Sequence, residues 1–336
     1  MREPPFWWRQ NSPAAVLLSP LAAIYGAVAA HRMARTGRKA GVPVVCIGNP
    51  TVGGAGKTPA ALAVARMLEA AGEAPAFLSR GYGGELAGPV RVDPARHRAS
   101  DVGDEPLLLA RTATTIVAHD RVSGAQAAVA AGAGVIVMDD GFQNPSLAKD
   151  FSVLVVDARR GIGNGRAIPA GPLRAPLDAQ LDRAQALIVV GEGDAAGVMD
   201  AARRRSLPVF KARLAPDATV IASLAGRSVL AFAGIGDPEK FFATLREAGV
   251  AVAATRRFDD HHRYTLAEAQ GLRDEAHRAG LVLVTTEKDL ARMHEDPAAA
   301  LLTALARALP VTLEFDDTVG FRSLLRERIA RARAAG

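Results

Sequence analysis

The stretch VPVVCIGNPTVGGAGKTP, residues 42–59, decides how the rest of the chain is read. Residues 42–48 are apolar and β-branched, as a buried strand should be. They run into a Gly-rich turn and then, from Lys57, into a helical pattern. A strand, a glycine turn, Lys and Thr, then a helix is a physical recipe for cradling phosphates. Backbone N–H groups converge on the oxygens and the helix N-terminus adds a favourable dipole. Lys57 supplies charge and the Thr58 hydroxyl is suited to Mg²⁺. The strict form of this loop has Gly six residues before the Lys. Here that position is Thr51, and the cradle is Thr51, Val52, Gly53, Gly54, Ala55, Gly56, Lys57 and Thr58. A Gly-rich turn without a ligand is the plainer alternative. The strand before it and the helix after it favour the phosphate reading.

Outward from this loop, short apolar runs alternate with helical stretches. Strands are expected at 42–48, 74–79, 114–118, 135–140, 151–157 and 186–191, with helices such as 57–71 and 120–131 between them. This is the βαβ rhythm of a doubly wound sheet. A second unit opens near residue 226. Strands are expected at 228–234, 250–255 and 281–286. Asp237-Pro238 starts a helix that stops at Gly249. Thr265 and Glu268 form a capping box for another helix, ending near Gly280. LPVFKARL (207–214) and LPVTLEF (309–315) bracket this unit and are expected to pair as a linking ribbon. The expected division is 1–40, a membrane-associating helical segment; 41–206, a nucleotide-binding domain; 207–315, a second α/β domain with its bracketing strands; and 316–336, a C-terminal helix.

Composition sets the bounds. The chain has 336 residues, 49% hydrophobic and 23% charged, which is a globular balance for about two domains. The single cysteine, Cys46, excludes a disulfide framework and a cysteine-based zinc site. A net charge of +6 suits anionic partners such as phosphates, nucleic acid or an anionic membrane. Aromatic residues at 5% argue against base-stacking platforms, so no nucleic-acid partner is expected.

Several polar clusters interrupt the apolar pattern. VIVMDD (135–140) ends a strand in Asp139 and Asp140, at the edge where α/β sheets bind ligands. An aspartate there holds Mg²⁺ directly or through water. Gln143, just beyond, is suited to orient a phosphate or a sugar hydroxyl. DVGDEP (101–106) places Asp104 and Glu105 before a helix. Helix capping by Asp104 is one reading; a general base beside a metal-side carboxylate is the other. FDDHHRYT (258–265) puts Asp260 beside His261 and His262; it reads as a carboxylate–histidine pair, as a solvated turn, or as a zinc ligand lacking partner spacing. SRGYGG (79–84) offers Arg80, and GIGNGRAIPAGPLRAP (161–176) offers Arg166 and Arg174 in a Gly/Pro-rich loop. TTEKDLAR (285–292) follows a strand and either is structural or lines the cleft between the two units.

The N-terminus carries an uncharged run from Gln10 to Ala30, preceded by Phe6, Trp7 and Trp8 and followed by Arg32, Arg35, Arg38 and Lys39. A secretory signal, a spanning helix, a buried helix and an interfacial helix are the alternatives. The basic cluster C-terminal to the run keeps the remaining chain cytoplasmic and favours association with an anionic membrane surface, with the aromatic residues at headgroup depth.

Taken together, PPFWW, GNPTVGGAGKTP, SRGYGG, VGDEPLLLA, VMDDGFQN, GNGRAIPAGPLRAP, FAGIGDPEKFF, DDHHRYT and TTEKD resemble one family along nearly the whole chain, the tetraacyldisaccharide 4'-kinases of lipid A biosynthesis. The resemblance implies an α/β fold, with a P-loop NTPase-like, doubly wound, mainly parallel sheet and a second, smaller α/β domain. It implies ATP and Mg²⁺ as cofactors. The γ-phosphate would go to the 4'-hydroxyl of an acylated glucosamine disaccharide 1-phosphate, forming lipid IVA. A monomer at the cytoplasmic face of the inner membrane is expected. By matching motif, Lys57 and Thr58 bind triphosphate and metal, and Asp139 and Asp140 hold the metal-side position. Asp104 is the base with His261 as its partner, and Lys57 and Asp140 complete the catalytic set. Glu105 joins the metal ligands; Arg80, Gln143 and Arg174 contact acceptor or phosphate. Two departures touch acceptor contacts: Asn144 stands where many members have His, and Ala175 where Glu is frequent. The phosphate loop itself resembles the deviant loops of ArsA- and MinD-type ATPases, with Val52 where those carry an extra Lys. A membrane-associated ATPase switch is therefore the alternative function. A GTPase or a nucleic-acid-linked NTPase is a third; it predicts a guanine-reading motif or interleaved aromatic and basic residues, and the sequence has neither.

Overall fold

The computed structural model describes residues 3–193, 195–293 and 299–335. Among them the strands form two sheets. The larger draws on β1 (Val44–Gly48), β2 (Pro75–Ser79), β3 (Val90–Arg91), β4 (Thr115–Val117), β5 (Val135–Asp139), β6 (Phe151–Asp157), β7 (Ala186–Val190) and β8 (Val209–Pro216). The smaller comprises β9 (Ser228–Ala233), β10 (Ala251–Arg257), β11 (Val282–Thr286) and β12 (Arg307–Leu309). A last strand, β13 (Val311–Phe315), returns to the larger sheet. The orders are β13-β8-β7-β6-β1-β5-β2-β4-β3 and β10-β9-β11-β12. The second sheet is parallel throughout. The first is parallel except at its two edges, where β3 and β13 run antiparallel to their neighbours.

The apolar runs explain this layering. In β1, Val44 and Cys46 pack into one face of the sheet and Val45 and Ile47 into the other. A strand buried on both faces needs a continuous apolar run, because side chains alternate with period two. The helix Lys57–Glu69 covers one face with Ala60, Ala61, Val64 and Leu68. The C-terminal helix Thr318–Ala334 adds Phe321, Leu325 and Ile329, one residue per turn on one side. Full burial of such side chains contributes about 1.5–3 kcal/mol each. The second sheet repeats the pattern, with Val229, Ala231 and Ala233 on one face and Leu230 and Phe232 on the other.

The Leu-Pro-Val segments do pair: β8 and β13 run antiparallel, with Leu214 opposite Leu313. β8 also hydrogen-bonds in parallel to β7, so the ribbon extends the larger sheet. It carries the chain out to the second sheet and back again.

At the N-terminus, helices Pro13–Leu17 and Ser19–Met33 lie against the body of the protein. Ala15, Ala22, Gly26 and Met33 face inward. Gly26 lies against Pro176. Leu17, Leu21, Ile24 and Val28 face outward; Leu17 is 80% exposed and Ile24 65%. The apolar stripe thus points away from the core, the reverse of an ordinary surface helix. No helix among the described residues is long and apolar enough to cross a membrane. The aromatic cluster departs from the expected headgroup depth. Trp7 is buried and donates from Nε1 to the Pro169 carbonyl at 3.0 Å. Trp8 packs under Arg160. The indole N–H groups find partners in the 161–176 loop and in Glu3, so these rings fasten the N-terminus to the fold.

Candidate active site

The site forms where β1, β5 and β2 end, at the C-terminal edge of the larger sheet. β1 lies between β5 and β6, so the chain crosses over it there, as at a ligand-binding switch point. The loop after β1 turns through Gly53 and Gly56, whose φ angles of 99° and 92° are those glycine adopts without a Cβ penalty. Asn49 is fully buried and donates from Nδ2 to the Gly53 carbonyl at 3.1 Å. The loop leans on the 161–176 segment: Val52 N donates to the Pro172 carbonyl and Arg174 N to the Pro50 carbonyl, each at 2.9 Å. Thr51, Ala55, Lys57 and Thr58 are buried and Gly54 is exposed, with Val52, Gly53 and Gly56 between.

Asp139 and Asp140 follow one another but do different things. Asp140 has φ of 53°, an uncommon value for a residue with a side chain. Its carboxylate accepts from Arg174 Nη1 at 2.7 Å and Nη2 at 3.1 Å, and lies 3.7 Å from Lys57 Nζ. Burial alone would raise its pKa. Lys57 and Arg174 outweigh that and hold it down at about 2. Asp139 is buried, and both of its carboxylate oxygens lack hydrogen-bond partners among the described residues. Burial, followed by the negative charges of Glu105 and Asp140, pushes it up to about 7. A buried carboxylate in that state calls for a cation.

The second sheet closes over Asp104 and Glu105. Asp104 is 3% exposed, and its carboxylate faces the other unit. His261 Nδ1 lies 3.4 Å from Asp104 Oδ1, and Arg292 Nε donates to Oδ2 at 3.0 Å. Burial opposes ionisation of Asp104; His261, then Arg292 and Lys288, reverse this and keep its carboxyl below the usual range. The hydrogen bond with Asp104 raises the pKa of His261. His261, like Asp140, has a positive φ, 56°. Such backbone costs about 1–3 kcal/mol per residue and clusters at functional sites. The exposed Tyr82 ring lies 5.2 Å from the imidazole. Lys288 Nζ is 2.5 Å from Glu105 Oε1.

Three further ion pairs join the units, Lys240 with Asp157 at 2.6 Å, Arg111 with Glu287 at 3.8 Å, and Arg159 with Asp237. The turn at Gly236 comes close to the Gly54 amide, so the second unit also borders the phosphate loop.

The remaining sequence-derived residues fall in three settings. Arg174 is brought to the phosphate loop and Asp140; its Nε also donates to the Thr51 carbonyl at 3.0 Å. Gln143 Nε2 is committed internally, to the Asn49 carbonyl and to Gln180 Oε1, both at 2.9 Å. Arg80 is exposed at the end of β2. Asp104 begins its helix, and the cap position belongs to Gly103. Sequence reasoning did not single out Lys288 and Arg292 as site residues, although the segment holding them was noted for the cleft. Their signal was a pair of basic residues four apart, on one side of the helix Glu287–Met293, just after a strand.

The donor set suits a hard cation. Thr58, Glu105 and Asp139 offer oxygen only, and the two Asp139 oxygens are buried without a hydrogen-bond partner among the described residues. Among the described residues no group of three or more acidic, His or Cys side chains could hold a metal by itself.

Residues 14–330 match the family described as tetraacyldisaccharide-1-P 4'-kinase. The chain belongs to this family. The tetraacyldisaccharide 4'-kinases of two Rhodopseudomonas palustris strains are 56% and 58% identical, over 99% of this chain and 97% of theirs. That of Nitrobacter winogradskyi is 54% identical over 99% of each chain. The fold is similar to that of LpxK from Aquifex aeolicus, crystallised in complex with ATP. The TM-score is 0.71 at 25% identity, covering 94% of this chain and 99% of that one.

Proposed function

We propose that this chain is an ATP-dependent kinase that transfers the γ-phosphate to the 4'-hydroxyl of a tetraacyl glucosamine disaccharide 1-phosphate. Its family membership supports the reaction. One observation carries the assignment of roles: Asp104, next to Glu105, meets His261 from the second unit, while both carboxylate oxygens of Asp139 at the end of β5 lack hydrogen-bond partners among the described residues. The nucleotide-binding unit is 41–206, and 207–315 supplies His261.

Lys57 and the backbone amides of 51–58 hold the triphosphate, as a loop at a helix N-terminus is suited to do. Arg174 fixes Asp140 and the loop, so the Lys57 ammonium is placed before substrate arrives. Thr58, Asp139 and Glu105 would hold Mg²⁺, with Asp140 near them. When bound, the metal neutralises charge on the transferring phosphoryl group. Asp104 takes the proton of the 4'-hydroxyl as the new bond develops. His261 orients that carboxylate and shares its charge. Arg80 reaches the acceptor from the exposed rim. The internal bonds of Gln143 give it a part in holding the loop through Asn49. Closure of the second unit excludes water and limits wasted ATP hydrolysis.

The acceptor is a lipid, and the outward stripe Leu17, Leu21, Ile24 and Val28 provides a docking face on the cytoplasmic side of the inner membrane. Arg32, Arg35, Arg38 and Lys39 follow it and favour anionic headgroups. The enzyme acts there as a monomer. The test is ATP turnover with and without the lipid disaccharide in micelles. A kinase consumes ATP in step with phosphorylated lipid. A membrane ATPase switch consumes it with no lipid product.

A further inference from the structure

The helix Glu287–Met293 sends Arg292 across the cleft to Asp104, and the surroundings of this guanidinium are built for one orientation. Arg292 is nine-tenths buried. Nε donates to Asp104 Oδ2 at 3.0 Å, and Nη1 donates to the Gly234 carbonyl at 2.8 Å. Nη1 also lies 3.3 Å from Asp289 Oδ1. Asp289 is itself fully buried and held from three sides: by the Tyr264 hydroxyl at 2.8 Å, the Gly234 amide at 2.9 Å and the Thr286 hydroxyl at 2.6 Å. Gly234 allows this convergence, since a Cβ there would stand 3.2 Å from Asp289 Oδ1 and 3.0 Å from both His262 Cβ and the Asp259 carbonyl. The same Gly234 carbonyl accepts the His261 amide at 3.1 Å.

We infer that Arg292 is a positioning residue for phosphoryl transfer: it holds Asp104 by Oδ2 and is tied through Gly234 to the backbone of His261, so that the Asp104 carboxylate, whose Oδ1 also accepts from the Glu105 amide at 3.1 Å, is set in one orientation for the acceptor hydroxyl. This rests on the reading of Asp104 as the base. A planar guanidinium spans Asp104, Gly234 and Asp289 together; an ammonium satisfies only part of that set. Asp104 and Arg292 lie in different units, so the contact also sets the base in the closed arrangement. Arg292 does not touch the phosphate loop, and its effect is on the chemical step.

The experiment is a double-mutant cycle on full-length protein. Transfer from ATP to tetraacyl disaccharide 1-phosphate is measured in micelles under single-turnover conditions. Arg292→Ala is expected to lower kcat about 10²-fold, the loss that a misplaced group brings, with KM for ATP within about twofold. Arg292→Lys should fall between the two. In an Asp104→Ala background, Arg292→Ala should cost less than about threefold more, because its target is gone. A purely structural arginine would instead lose the same factor in both backgrounds, and that result overturns the inference. Normal turnover of Asp104→Ala alone would remove the base reading, and shows in that single variant before the cycle closes. Should Arg292→Ala fail to fold, Arg292→Lys and Arg292→Gln complete the same cycle, with melting curves checked for each.

Discussion

Asp104 is buried, yet the charges around it favour the ionised form. In the proposed reaction Asp104 is the general base, and such a group contributes about 10²–10⁴-fold to turnover. Asp104→Ala is therefore expected to lose that factor in kcat while still binding nucleotide, measured by titration with a fluorescent ATP analogue. His261→Ala should lose less, since it acts through the carboxylate. Asp139 sits at the opposite extreme, a buried acid whose oxygens have no hydrogen-bond partner among the described residues. Its pKa is raised in the folded state, so the folded protein binds more protons than the unfolded chain between the ordinary value of 3.8 and about 7. Stability contributed at this position must fall as pH rises through that window. Asp139→Asn should melt higher than the native protein without metal, with a gap that widens from pH 4 toward pH 7. It should also lose transfer activity. An equal melting temperature at every pH would show that the orphaned carboxylate costs nothing.

At the scale of elements, the phosphate loop was the most legible part of the sequence, because its chemistry is local. Strand, glycines, Lys57 and Thr58 are contiguous, and β1 with the helix Lys57–Glu69 forms where the pattern put them. The capping box at Thr265 and Glu268 is present for the same reason. The grip of Arg292 on Asp104 was not legible: the two are 188 residues apart, and no local pattern links them. The role of Gln143 was blurred likewise, since its partners Asn49 and Gln180 come from other elements. The N-terminal helices were ambiguous because an uncharged run fits a core, a membrane span or a membrane surface equally. Only the packing of Ala15, Ala22 and Gly26 shows which side is left outside. A Leu side chain transferred fully from water carries about 1.5–3 kcal/mol. Leu17→Glu with Leu21→Glu should therefore weaken binding to anionic phospholipid vesicles by on the order of tenfold or more. Turnover on a detergent-dispersed acceptor should be largely retained. Unchanged sedimentation with vesicles would take the membrane role from this face.

Across the whole molecule, the two sheets meet through charge. His261, Lys288, Arg292, Lys240 and Asp237 of one side pair with Asp104, Glu105, Asp157 and Arg159 of the other. Such polar junctions allow relative motion more readily than apolar ones. In the proposed reaction the site spans both units: the phosphate loop and Asp139 lie on the larger sheet, and His261, which meets Asp104, comes from the smaller unit. The central claim is that this junction performs phosphoryl transfer to a lipid hydroxyl. Its most direct test is transfer of labelled γ-phosphate from ATP to tetraacyl disaccharide 1-phosphate in detergent micelles, with Lys57→Ala alongside. Label in the lipid that disappears in the Lys57→Ala variant is the expected result. ATP hydrolysis that depends on Lys57 but leaves the lipid unlabelled would contradict it.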